Sequence, residues 1–124
     1  MNIDKQSDYT LNLIKDGVII ADSELNIHFM NAAAEHLCAC PGYEIQGQSI
    51  HQVLVLIDDE TRQRIELPVQ ACLDQARTIK VSKQTLLLDR NRQEHAIEIS
   101  CAPYPYDDSE HGILVLLRDQ SETQ

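Results

Sequence analysis

The sequence predicts an α+β domain: a five-stranded antiparallel sheet with short helices on one face, preceded by a flanking helix. Three observations carry that expectation. In residues 94–101, His95, Ile97, Ile99 and Cys101 share one parity, while Glu94, Glu98 and Ser100 share the other. This period of two marks a strand with one packed face. Residues 113–117, Ile-Leu-Val-Leu-Leu, are apolar on both parities, as befits an inner strand covered on both sides. Finally, segments of helical period lie between two groups of strands, which places the helices together against one antiparallel sheet.

The elements follow in order. Residues 1–16 read as a polar lead into an amphipathic flanking helix. Ser7 and Asp8 are candidate N-caps, and Leu11, Leu13 and Ile14 form its apolar stripe. Gly17 breaks that helix and opens a β-branched run at 18–21, and Asp22, Ser23 and Glu24 turn the chain into a second strand at 27–30. Asn31 is suited to cap a helix over 32–37, whose three alanines permit close approach to what lies beneath.

Pro41, Gly42 and Gly47 punctuate a region of short helical turns, and Ile50, Val53 and Leu54 have helical spacing. Residues 58–64 read as a charged, exposed connector. Pro68 suits the first turn of a further helix with an apolar face of Val69, Cys72, Leu73 and Ala76. From Ile79 the period becomes that of strands. A strand over 84–89 is followed by Arg90, Asn91 and Arg92, where Asn91 is expected to take the left-handed conformation of the turn. Pro103, Pro105, Asp107, Asp108, Ser109 and Gly112 join the last two strands.

Composition bounds the function. A chain of 124 residues, 43% apolar, supports one domain of 17–119 with its own core, between the flanking helix and a linker at 120–124. A formal charge of −10 repels phosphate backbones and anionic headgroups, so neither nucleic acid nor a membrane surface is an expected partner. No apolar run is long enough to span a bilayer and no signal-peptide pattern opens the chain, so a cytoplasmic location is expected. Cys38, Cys40, Cys72 and Cys101 then read as reduced, buried, small hydrophobes. The Cys38-Ala-Cys40 spacing is too short for a common zinc pair, and no metal site is assigned. No Ser/His/Asp order, glycine-rich phosphate loop or paired-histidine helix appears, so no catalytic residue is assigned.

The order of elements and several strings resemble a PAS domain, a sensory module of bacterial signalling proteins. Asp16-Gly17-Val18-Ile19-Ile20-Ala21-Asp22 resembles the opening strand. Ile27-His28-Phe29-Met30-Asn31-Ala32-Ala33-Ala34-Glu35 resembles the second strand and its Asn-capped helix. Asp59-Glu60-Thr61-Arg62-Gln63, followed by Pro68-Val69 and Cys72-Leu73, is similar to a subgroup found in multi-domain kinases and cyclic-di-GMP enzymes. Residues 97–103 and 112–119 resemble the last two strands, and Arg118-Asp119-Gln120-Ser121-Glu122 the acidic exit motif that leads into a signalling helix. The resemblance spans residues 7–122. Asn91 departs from the family's usual Gly, and Ser121 from its usual Thr.

The resemblance implies a ligand pocket between sheet and helices, lined by Leu54, Leu56, Cys72, Leu73 and Leu86. Leu88, Ile97, Ile99 and Cys101 would complete it. It implies signal exit through Arg118, Asp119, Ser121 and Glu122. Leu11, Leu13 and Ile14 exceed what one apolar stripe needs, so the flanking helix is expected either to pair with its copy in a homodimer or to fold as a cap over the sheet of its own chain. The haem-binding relatives' axial His would fall in residues 68–76, which hold none. The flavin relatives' reactive Cys has an Asn-Cys-Arg context, and Cys38 and Cys40 lie in Leu-Cys-Ala-Cys-Pro. Both features argue against haem and flavin and leave the cofactor, if any, unspecified. The expected function is a non-enzymatic sensory domain, binding a small ligand or a partner and feeding a C-terminal effector of diguanylate cyclase or histidine kinase type outside this chain. The alternatives are a ligand-free dimerisation or interaction module and, more remotely, a small α+β enzyme.

Overall fold

The apolar run near the C-terminus forms β8 (His111–Asp119), which lies between β1 (Gly17–Ala21) and β7 (Glu94–Pro105) in a computed structural model that describes residues 15–105 and 111–120. Among the described residues the other elements are β2 (Ile27–Met30), α1 (Ala32–Cys38), α2 (Gly42–Ile45), α3 (Ile50–Val53) and β3 (Val55–Asp58). They continue with β4 (Arg64–Ile65), α4 (Val69–Gln75), β5 (Ile79–Lys80) and β6 (Thr85–Leu88). The sheet runs β2-β1-β8-β7-β6-β3-β4, all antiparallel, and β5 pairs with β7 beside β6.

The expected sheet of five strands is therefore corrected to eight. The five expected strands are the contiguous ones, β2-β1-β8-β7-β6. The three additional strands are short, and β4 and β5 hold two residues each, too few for alternation to show. β3 and β4 replace part of what reads as an exposed connector. Asp58 is buried at the end of β3, and Arg64 pairs with Ile57.

Alternation decides what each strand buries. Ile97, Ile99 and Cys101 face the core from β7, as do Ile113, Val115 and Leu117 from β8. Leu114 and Leu116 take the other parity and are half-buried. Helix α1 packs directly on β1: a Cβ added at Gly17 would come within 3.1 Å of the Ala34 backbone. Only the absent side chain on one side and alanine on the other allow that approach. In α4, Cys72 is buried while Val69 and Leu73 pack against the core. Ala76, expected on the same face, caps the helix in the left-handed conformation and is exposed.

Two hairpins share one turn design. In the β1–β2 turn, Asp22 Oδ1 accepts hydrogen bonds from the Glu24 and Asn26 amides, and Oδ2 bonds His28 Nε2 at 2.8 Å. In the β6–β7 turn, Asp89 Oδ1 accepts from the Asn91 and Gln93 amides, and Oδ2 bonds His95 Nε2, again at 2.8 Å. Leu25 and Arg92, each three residues after its Asp, hold the left-handed position. The expectation that Asn91 would take it is thus corrected by one residue, because the bond from its own amide to Asp89 fixes it earlier in the turn.

These contacts depress both carboxyls. Partial burial pushes Asp22 up, but the Asn26 amide, His28 and the Glu24 amide outweigh it and hold it below 3.8. The His95 bond holds Asp89 below 3.8 against desolvation, helped by the Gln93 and Asn91 amides. A depressed carboxyl contributes stability that is present above the unfolded-state value and lost as pH falls through the folded-state value. The double variant Asp22→Asn/Asp89→Asn should therefore be less stable than the parent at about pH 7 and lose less on acidification to about pH 3. Urea unfolding at both values checks this. Parallel acid curves would show that the carboxyls carry no such linkage.

Candidate ligand cleft

The nine expected pocket residues divide into two groups. Leu54, Leu56, Cys72, Ile97, Ile99 and Cys101 belong to the buried cluster between sheet and helices, and Leu73 packs against it. Leu86 and Leu88 do not belong to it. In β6, Leu87 pairs with Leu56 and faces the core, so its two neighbours take the opposite parity. Leu86 pairs with Ile57, and Leu88 with Val55. The core residue in the Leu-Leu-Leu run is Leu87, which the expected set omits.

Burial holds the cluster's thiols in the protonated form. The Cys72 thiol donates to the Cys101 carbonyl oxygen at 3.3 Å, and burial together with the neighbouring Cys72 pushes the Cys101 thiol up to about 12. Burial first, then Cys40 and Asp89, push Cys38 up to about 12 as well. All four cysteines are free and buried, and the thiolate needed for nucleophilic or metal chemistry is disfavoured in each. Among the described residues, no group of three His, Cys, Asp or Glu side chains could hold a metal ion.

An opening reaches this cluster beside α3. Ser49 caps that single turn by accepting the His51 amide, and Leu54 follows it into β3. Antiparallel pairing then sets Ile65 opposite Leu56. The result is a cleft of about 360 Å³ with an apolar floor of Leu54, Leu56, Ile65 and Leu67. His51, Gln52, Arg64 and Glu66 form an exposed polar rim. An apolar floor with a few polar groups at the edge, at a volume above about 300 Å³, is the usual make-up of a small-molecule site. Of the expected pocket residues, the cleft thus unites Leu54 and Leu56. Leu88 lines a separate depression beside Cys38, Cys40 and Val53, Leu86 lies outside the cluster, and the remainder belong to the cluster or pack against it.

Arg64 is fixed at this rim. Its Nη2 donates to the His51 carbonyl at 2.8 Å and to the Leu54 carbonyl at 3.4 Å. These oxygens lie at the end of α3, where carbonyls lack helical partners and a cation is favoured. Sequence reading missed Arg64, because an arginine in an acidic, polar stretch looks like solvated surface. Its two-residue strand gives no pattern to separate it from that stretch.

Of the expected exit residues, Arg118 bonds Asp16 at 3.3 Å, and Asp119 pairs with Ile97 at the end of β8. Ser121 and Glu122 lie outside the described residues, as do the flanking-helix residues Leu11, Leu13 and Ile14. Among the described residues, no helix is long and apolar enough to cross a membrane.

Comparison with known proteins supports the fold. The PAS domain of nitrogen regulation protein NR(II) from Vibrio parahaemolyticus superposes with a TM-score of 0.72 at 23% identity, covering 94% of this chain and 99% of that one. A PAS domain from a two-component sensor histidine kinase gives 0.68 at 13% identity, covering 94% and 95%. The E. coli DhaR(N)-DhaL complex gives 0.62 at 22% identity, covering 91% of this chain and 34% of that one. A search of curated protein sequences found no match. The profile of the PAS fold matches residues 11–124, nearly the whole chain and all of the sheet described above, and the chain therefore belongs to the PAS-fold family.

Proposed function

We propose that this domain is a non-catalytic sensory module that takes a small ligand in the cleft beside α3. It would relay the occupied state through Arg118, Asp119, Ser121 and Glu122 to a C-terminal effector of histidine kinase or diguanylate cyclase type. The observation that carries this reading is the position of β8. Its side chains Val115 and Leu117 form part of the buried cluster, and its last residue leads directly to the exit. A packing change in the cluster therefore has a short, rigid route out. A histidine kinase effector is also in keeping with the kinase-derived PAS domain that the chain resembles. Leu11, Leu13 and Ile14 are proposed to build a homodimer, and the location is proposed as cytoplasmic.

A specific observation favours a second reading, a ligand-free interaction module. Ile99, Cys101, Val115 and Leu117 are within 1% of complete burial, and among the described residues no buried side-chain nitrogen or oxygen lacks a partner. A core so fully satisfied has no need of a ligand to close it. The similar DhaR(N) structure was also solved in complex with another protein.

A native mass spectrum of freshly purified protein separates the two. Sensing predicts mass in excess of the polypeptide, lost on denaturation. A dimer of bare chains throughout would support the interaction module instead.

A further inference from the structure

Arg64 is the feature of the cleft that its packing alone does not use up. The chain carries a formal charge of −10, and three of the other five arginines have carboxylate partners: Arg62 with Glu94, Arg90 with Glu44, Arg118 with Asp16. Among the described residues Arg64 has no carboxylate partner, and Glu66, the acid on the same rim, forms no ion pair with it. One nitrogen, Nη2, is held by two backbone carbonyls, which fixes the plane of the guanidinium. Its Nε and Nη1 donors make no bond among the described residues. Both two-point faces of a guanidinium use an Nη2 hydrogen, and both of those are taken, so an anion is met singly, at Nε or Nη1, by a charge-assisted hydrogen bond such as a carboxylate oxygen accepts. Below it, Leu54, Leu56 and Leu67 are buried on the floor of the same cleft, with Ile65 half-buried beside them.

We infer that the cleft binds a small carboxylate with a short apolar body, its head on Arg64 and its body over Leu54, Leu56, Ile65 and Leu67. Charge complementarity selects the head, since Arg64 offers a positioned cation with single free donors in an otherwise acidic protein. The volume of about 360 Å³ limits the body to a short chain or a single ring. Glu66 adds a selection of its own. Its charge on the rim disfavours a second carboxylate at the mouth, so a monoacid is preferred to a diacid.

The inference rests on the sensory reading and is tested by amide NMR titration of the full chain with octanoate and with 1-octanol. The two probes share an apolar body and differ in the head. Octanoate should shift the amides of residues 51–56 and 64–67 and bind at least about tenfold more tightly than octanol. Arg64→Gln should bring the two affinities together without weakening octanol. Arg64→Lys, which keeps the charge and loses the anchoring of Nη2 to both carbonyls, should keep part of the preference. Equal affinity of the parent for both probes, shifts confined to other regions, or no binding of octanoate would overturn the assignment. The sensory reading fails separately: octanoate that fills the cleft yet leaves the amides of 118–120 unmoved would refute relay while leaving the carboxylate site intact.

Discussion

Replacing Gly112 by alanine is expected to destabilise the domain by about 3 kcal/mol, because the added methyl group has nowhere to go. A Cβ at this position would lie 1.9 Å from the Ala21 carbonyl oxygen, 3.0 Å from its carbon and 3.1 Å from the Asp22 Cα. All three are backbone atoms, so no side chain can swing aside. Gly112 is needed here for space. It sits next to Ile113, which pairs with Ala21, and relief would require β1 to part from β8 in the interior of the sheet. Strain of this kind costs about 1–3 kcal/mol, and each ladder bond lost adds roughly 1 kcal/mol. Urea denaturation should show a lower midpoint at unchanged slope. A loss under about 0.5 kcal/mol would mean that this end of β8 shifts freely, contrary to the packing described.

Asn31→Ala should cost a similar amount by another route. Asn31 is fully buried, and its Oδ1 accepts from the Ala34 amide at 3.0 Å, capping α1, and from the Val18 amide at 2.8 Å in β1. Its Nδ2 donates to the Asp16 carbonyl at 3.0 Å. Alanine forfeits the cap, worth about 1 kcal/mol, and leaves the buried Val18 amide without this acceptor, at about 1–3 kcal/mol. The sum is about 3 kcal/mol. Asn31→Asp keeps both acceptor bonds and loses the donor, and should fall between parent and alanine. Hydrogen exchange at Val18 should accelerate in the alanine variant and change less in the aspartate one. Unchanged exchange at Val18 in the alanine variant would sink this account, whereas a loss in the aspartate variant also contains the cost of burying a carboxylate beside the Asp16 carbonyl.

The sequence was most informative where an element was long and one-sided. The alternation in β7 and the two-sided apolar run in β8 can be read without any knowledge of neighbours, and Asn31 announces a helix by its chemistry alone. Three kinds of feature were hidden. β4 and β5 are defined by pairing partners far along the chain, and two residues carry no period of their own. Leu86, Leu87 and Leu88 are chemically identical, so only the register with β3 and β7 decides that the middle one is inside. Arg64 acquires its role from carbonyls ten and thirteen residues away, which no local string records. The turn design was visible in principle, since Asp and His recur six apart at Asp22 and His28 and at Asp89 and His95. It becomes meaningful only once both segments are known to be hairpins.

The antiparallel pairing of β1 with β8 has a mechanical consequence. Gly17 is opposite Leu117 and Ala21 opposite Ile113, so the segments before β1 and after β8 leave the sheet at the same end. Tension applied between them loads the rungs one after another, as in opening a zip, and never the whole ladder at once. The first contact to meet it is the exposed Arg118–Asp16 pair, which resists little. The next is the Gly17–Leu117 pair, while Asn31, which bonds both Asp16 and Val18, holds β1 to the start of α1. A twist or pull from a neighbouring domain would thus part the interior of the sheet from this end, one rung at a time, with β1 still held to α1 through Asn31.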